Sequence, residues 1–297
     1  MAGTGICFFY SISNSLPAKY FGTKMGTANG LIKLGGGIGA TMLAISLDLL
    51  IQKVGIPWTF RILGFITLST GLPVALLIKE RIPRHNTPCI ELSMFKSLPF
   101  TAIFHAAALA TFILFAPPYF LPFIARSVGL SSSTRAGLVA GFNAYTAVGR
   151  LLSDPACDKL GSINTFLLTM ALSAISVLAI WPFSSSLPLL VTFAMLNGVA
   201  NGSFFTTMPT VVASMFMGDS SERAAVAMGQ AITGWVAGHL MGAPIAGYLL
   251  QATQAEQGET IDPYRPAIFY AGGLASATCM FVVMARFARE KKVLKRV

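Results

Sequence analysis

Arg150 stands near the end of an apolar run that begins at Ser133, with Asn143 and Thr146 before it and Asp154, Asp158 and Lys159 after it. Residues seven and four positions apart lie on nearly the same face of a helix, so Asn143, Thr146 and Arg150 form a polar stripe. A guanidinium at membrane depth costs ~2.5–3.5 kcal/mol on insertion scales, so such a group usually faces a partner or a water-filled path rather than lipid. Its planar fork of donors suits a carboxylate. The competing reading has Arg150 close enough to the helix end to snorkel to the headgroups.

Other polar residues share that ambiguity. Lys33, behind Asn29 in an earlier apolar segment, either snorkels or lines a cavity. Asn197 and Asn201, one helical turn apart, either line a path or bond a neighbouring helix. His239, among glycines in mid-segment, either relays a proton or hydrogen-bonds locally. His105 and Asp48 fall near segment ends and read as interfacial.

The elements that must hold these groups follow from composition. Of 297 residues, 54% are hydrophobic and 11% charged, against roughly 25% charged in soluble domains, and mean hydropathy is +0.69. The chain reads as an all-α, polytopic transmembrane bundle. A barrel would show short alternating segments instead. Nine apolar segments are each near the ~20 residues needed to span hydrocarbon: 2–20, 26–50, 58–78, 99–124, 133–152, 164–183, 187–216, 224–251 and 266–287.

The net charge of +10 sits in the loops and tail, as an orienting device rather than a nucleic-acid footprint. Lys19, Lys24, Lys79, Arg81, Arg84, Lys96, Lys159, Arg223 and a tail from Arg286 onward fall on one side. Lys53, Arg61, Arg126, Arg135 and Arg265 fall on the other. The richer side is expected to be cytoplasmic, with the C-terminus. The first segment lacks the basic start of a signal peptide. The charged, proline-bearing stretch 80–98 reads as a linker between a three-segment unit, 1–79, and a six-segment unit, 99–290, with a basic tail at 291–297.

Small residues recur four apart: Gly35 and Gly39, Gly137 and Gly141, Gly198 and Gly202, and Gly234, Gly238 and Gly242. That pattern lets helices approach closely in lipid. Glycine and proline in 242–247 and 115–122 also permit bends or broken helices. Other motifs fail on context: Gly35, Gly37 and Ala40 match a dinucleotide fingerprint but lie in an apolar helix instead of a βαβ unit, and the Asn201-Gly202-Ser203 sequon falls mid-membrane. The four cysteines, Cys7, Cys89, Cys157 and Cys279, have no metal spacing. No enzyme motif stands out, and no cofactor or metal is expected.

Taken together, these places resemble the major facilitator superfamily and, within it, a monocarboxylate-transporter-like branch common in fungi. Tyr20, Phe21, Lys24, Thr27–Gly30 and Gly35–Gly39 are similar to the link between the family's fourth and fifth helices. Phe115, Ala116 and Pro117 are similar to its seventh helix. Gly149 and Arg150, with Asp158, Lys159 and Gly161 downstream, are similar to its eighth helix and following turn, and Gly242, Pro244 and Gly247 to its eleventh.

The resemblance implies two six-helix halves that rock about a central cavity and a secondary carrier for a small organic solute, a monocarboxylate or related anion, moved with or without protons. It implies Arg150 as carboxylate anchor and Asp158, Lys159 and Gly161 as a conformational latch. Asn143, Thr146, Lys33, Asn197 and Asn201 are the further candidate binding residues, and His239 the candidate proton site. Thr146 stands where proton-coupled carriers place an aspartate, so the resemblance supplies no aspartate–arginine pair here to couple protons. The likeness begins at the family's fourth helix, so the expectation is a chain lacking three helices that transports poorly alone. The alternative is a non-transporting fragment or receptor-like relative. Its partners are the bilayer, of plasma or organellar membrane, and the solute; the sequence carries no signal for oligomeric state.

Overall fold

Hydrocarbon offers no hydrogen bonds, so a chain that crosses it must pair its backbone internally, and helices do so within one segment. The structure, a computed structural model, describes residues 25–78, 90–216, 221–253 and 260–289. Among these residues the regular structure is helical: α1 (Met25–Leu77), α2 (Leu98–Leu114), α3 (Ala116–Ser127), α4 (Ser132–Leu160), α5 (Ser162–Ile175), α6 (Leu187–Met215), α7 (Ser221–Thr233), α8 (Trp235–Ala252) and α9 (Arg265–Arg289). Among the described residues five stretches are long and apolar enough to cross a membrane: Leu50–Leu77, Leu98–Ser127, Ser162–Phe183, Leu187–Met215 and Asp262–Arg289. The expected segment 2–20, the linker up to residue 89 and the tail lie outside the described residues.

Glycine and proline set the differences from the expected segments. The expected spans 26–50 and 58–78 run together as α1, broken only at Gly55 (φ 75°, ψ 166°). Gly55 takes a backbone conformation that other residues resist, and Pro57 suits a restarting helix. The expected span 99–124 is two helices parted at Phe115, since Pro117 and Pro118 remove two backbone donors. The span 224–251 is likewise parted at Gly234. Helix α4 continues past Leu152 to Leu160, because charge at Asp154 and Asp158 marks emergence from an apolar layer and not the end of a helix. Helix α5 loosens into a π-turn over Ser176–Ile180 and a 3-10 turn over Trp181–Phe183.

Helix α4 ends at buried Gly161, at φ 91° and ψ 151°. That region is essentially closed to side chains and costs about 1–3 kcal/mol per strained residue. Gly161→Ala should therefore lower the thermal midpoint in detergent; an unchanged midpoint would show that the turn is not held in that conformation.

Two apolar clusters fill the bundle. One holds Ile113, Leu121, Phe142, Trp181, Phe193, Ile268 and neighbours, with Trp181 stacked on Phe193 at 4.6 Å. The other holds Phe100, Ile103, Phe166, Phe204, Met208, Trp235 and Val282. Between them lies a polar waist. Asn197, 2% exposed, donates Nδ2 to Ser176 Oγ at 2.9 Å and reaches Ser173 Oγ at 3.5 Å. A void of about 10 Å³ beside it is lined from both clusters, the size of one water molecule.

Since lipid is as apolar as leucine, close packing rather than hydrophobic burial holds such helices together. Helices α4 and α6 meet backbone to backbone. A Cβ on Gly149 would collide with the Val199 carbonyl, one on Gly202 with the Thr146 carbonyl, and one on Gly198 would lie 2.8 Å from the Phe142 carbonyl. Ser203 and Ser153 both donate to the Gly149 carbonyl, at 3.0 and 2.6 Å. Gly238 and Gly242 pack in the same way against Thr111 and Phe112 of α2. Gly137, Gly141, Gly35 and Gly39, with the same spacing, meet nothing within 4 Å among the described residues.

The basic residues also sort by end. Arg286, grouped with the tail by sequence, belongs to α9, is buried, and donates Nε to Asn164 Oδ1 of α5; Arg289 donates Nη2 to the Ser214 carbonyl at 2.8 Å. Near this end Arg223 pairs with Glu91 at 3.2 Å. The Ser93 hydroxyl first, and the Arg223 guanidinium with it, hold the Glu91 carboxyl below the usual carboxylate range. A depressed folded-state value contributes stability above that range and loses it as pH falls through it.

Candidate functional site

The stripe on α4 opens onto a cleft of about 420 Å³. Phe142, Asn143, Thr146 and Arg150 form one wall, Asn201 and Phe205 of α6 a second, and Leu114, Phe115, Pro118 and Tyr119 a third. The α4–α6 crossing sets this geometry: because Gly149 and Gly202 admit no side chain, Arg150 sits beside the α6 face that carries Asn201 and Phe205. The half-buried guanidinium lies 5.4 Å from the Phe205 ring centroid, a cation–π arrangement. On the open side α1 approaches, and a Cβ on Gly36 would lie 2.9 Å from Arg150 Nη1.

The candidate binding residues divide by place. Arg150, Asn143, Thr146 and Asn201 share the cleft. The Thr146 hydroxyl, 8% exposed, donates back to the Phe142 carbonyl at 3.0 Å, a common use of threonine within helices. Asn201 donates Nδ2 to the Leu114 carbonyl at 2.7 Å. Asn197 lies off the cleft, in the polar waist. The Lys33 side chain lies outside the described residues.

His239 is exposed and is not part of the cleft wall, but it touches one of its members. Its ring meets Phe115 edge-on at 4.9 Å and stacks on Trp235 at 6.3 Å, while Nδ1 bonds the Trp235 carbonyl at 2.9 Å. Trp235 in turn meets Phe205 at 6.3 Å. Rings thus connect His239 to Arg150 around the cleft. Asp158 and Lys159 are exposed at the far end of α4, beside buried Gly161. His105 bonds the Thr101 carbonyl and stacks on Phe281.

Sequence reasoning missed the aromatic lining: Phe115, Tyr119, Phe142 and Phe205. A signal existed, since Tyr119 follows Phe115 by one turn and Phe205 follows Asn201 by one turn. In a chain this rich in phenylalanine, however, such spacing does not separate a cleft wall from core.

The Major Facilitator Superfamily profile matches residues 1–153 and, overlapping, 103–297. An MFS-type transporter of Gibberella moniliformis is 28% identical over 92% of this chain and 64% of its own length. MFS-type transporter 1 of an Ophiocordyceps species is 30% identical over 70% of this chain and 47% of its own. An aspyridones efflux protein of Emericella nidulans is 28% identical over 80% and 48%. The chain thus spans about half to just under two thirds of these relatives. A solved structure, of a bacterial homolog to the human lysosomal transporter Spinster, inward-facing and unoccupied, superposes with TM-score 0.44 at 18% identity, covering 93% of this chain and 71% of that one, a likeness too distant to place any residue. With the profile covering the chain from end to end, this multi-pass membrane protein belongs to the Major Facilitator Superfamily.

Proposed function

We propose that this chain holds the solute-binding side of a secondary carrier that moves an amphipathic organic anion by alternating access. The observation that carries the reading is a guanidinium in a 420 Å³ cleft ringed by Phe115, Tyr119, Phe142 and Phe205. Cavities of roughly 300–1,000 Å³ with mostly apolar walls and a few fixed polar groups suit drug-sized ligands. The anionic class suggested by sequence is kept, and the size argues for a solute larger than a two- or three-carbon monocarboxylate. The similarity to an aspyridones efflux protein supports export as the direction.

Rocking of α1 against the bundle, where Gly36 meets Arg150, would open and close the cleft. The exposed pair Asp158 and Lys159, on the turn set by Gly161, is the proposed latch. The tail is proposed to be cytoplasmic, at the end of the bundle that gathers Lys96, Lys159, Arg223, Arg286 and Arg289.

Flux of naphthalene-2-sulfonate, a permanently charged aromatic probe, into vesicles bearing the full chain tests the reading. Slow but saturable entry that acetate does not inhibit is the expected result, in keeping with a chain expected to transport poorly alone. Entry no faster than in empty vesicles would overturn it. His239 is the proposed proton site, and it acts through the Phe115 ring. A proton gradient should accelerate flux, and His239→Gln should lose that acceleration while keeping gradient-free exchange. Acceleration that survives the substitution would remove His239 from the coupling.

A further inference from the structure

Two consecutive prolines leave two backbone carbonyls of the α2–α3 break without their helical donors. In an unbroken helix the amide of residue 117 would serve the Ile113 carbonyl and that of residue 118 the Leu114 carbonyl, but proline has no N–H. The Ile113 carbonyl accepts instead from the Phe115 N–H in a tight turn. The Leu114 carbonyl accepts from Asn201 Nδ2 of α6 at 2.7 Å. The helix then resumes, with Tyr119 N–H bonding the Phe115 carbonyl at 3.2 Å. Buried carbonyls are rarely left without a donor.

We infer that Asn201 is a positioning residue: its amide replaces the missing Pro118 donor and sets the bend that aims Phe115, Pro118 and Tyr119 into the cleft. Three observations agree. Asn201 bridges a long sequence separation to reach one backbone atom. Leu114 and Asn201 both line the cleft and also the water-sized void behind it, so the bond forms the partition between them. Phe115, the residue at the break, carries the contact to His239. Among the described residues the Asn201 bond is the one hydrogen bond to this break that comes from another helix. Loosening it frees a cleft wall while leaving the rest of the bundle in place.

The test is a double-mutant cycle on the full chain, read by amide hydrogen exchange at Tyr119, Phe120 and Leu121. Asn201→Leu keeps the side-chain volume but removes the donor, and exchange should quicken about tenfold, the usual consequence of leaving one buried acceptor unpaired. Pro118→Ala restores a backbone N–H facing Leu114, so in the double variant exchange should return to nearly the parent rate. Asn201→Ser provides a second arm should the leucine variant fold poorly. An unchanged rate in Asn201→Leu, or no recovery in the double variant, overturns the inference. Exchange needs no transported solute, so this outcome stands apart from the carrier reading on which the cleft's role rests. Affinity for naphthalene-2-sulfonate adds a second axis. It should fall in Asn201→Leu and recover with Pro118→Ala. Recovered exchange with unrecovered affinity would make Asn201 a solute contact and overturn its positioning role.

Discussion

Arg150→Ala should abolish saturable movement of an aromatic anion, and Arg150→Lys should leave only a small part of it. Truncating one partner of a desolvated charge pair costs about 2–5 kcal/mol, so affinity should fall at least thirtyfold, at about 1.4 kcal/mol per factor of ten. Lysine keeps the charge but loses the fork that meets a carboxylate with two donors and the flat face that rests on Phe205. An intermediate loss, about tenfold, is therefore expected. The neutral analogue naphthalene should bind parent and variants alike. Flux of the anion unchanged in both variants would remove Arg150 as anchor.

The second large effect is expected away from the solute. Gly149→Val and Gly202→Val each drive a branched side chain into a facing backbone carbonyl, of Val199 and Thr146 respectively. Overpacking typically costs about 1–3 kcal/mol even where flexible side chains can yield, and here the obstacle is main chain. Both variants should show markedly lower thermal midpoints and poor recovery from the membrane. In Gly149→Val the Gly149 carbonyl, which takes the Ser203 and Ser153 hydroxyls, would be displaced as well, and the Arg150 guanidinium with it. Gly137→Ala, on the same helix, meets nothing within 4 Å and should leave the midpoint nearly unchanged. Equal midpoints for Gly202→Val and Gly137→Ala would contradict the backbone-to-backbone crossing.

That contrast shows how far the sequence could be read. Small residues four apart announce helix contact, yet Gly137 and Gly141 carry the pattern as clearly as Gly198 and Gly202 do. Only the facing helix decides, and its register is a long-range property that a local spacing does not encode. The helical class was legible because hydrocarbon forces the backbone to pair within itself, and length and apolarity record that demand. Segment ends were less so. Charge at Asp154 suggested an end to α4, whereas the conformation at Gly161 supplies it. The break at Phe115 was foreshadowed by Pro117 and Pro118, but the donor that compensates them is Asn201, 87 positions beyond Leu114.

At the site, the stripe of Asn143, Thr146 and Arg150 follows directly from helical spacing. Asn197 and Asn201 share a helix face by the same spacing, yet one binds Ser176 in the waist and the other reaches the cleft. What separates them is the neighbour each meets, Ser176 Oγ for one and the Leu114 carbonyl for the other, a product of packing. The aromatic walls went unnoticed for the same reason, because a phenylalanine facing a cleft and one facing a core are alike in sequence.

Placing the solute within the cleft is the most direct test. A photoreactive aryl azide bearing a sulfonate, activated in membranes containing the full chain and mapped by mass spectrometry, should label Phe115, Tyr119, Phe142 or Phe205. Excess naphthalene-2-sulfonate should suppress that labelling, and Arg150→Ala should abolish it. Labelling confined to the bundle's outward-facing residues, such as Tyr248 and Met280 at 71% and 73% exposure, and indifferent to both competitor and substitution, would contradict an anion docked against Arg150.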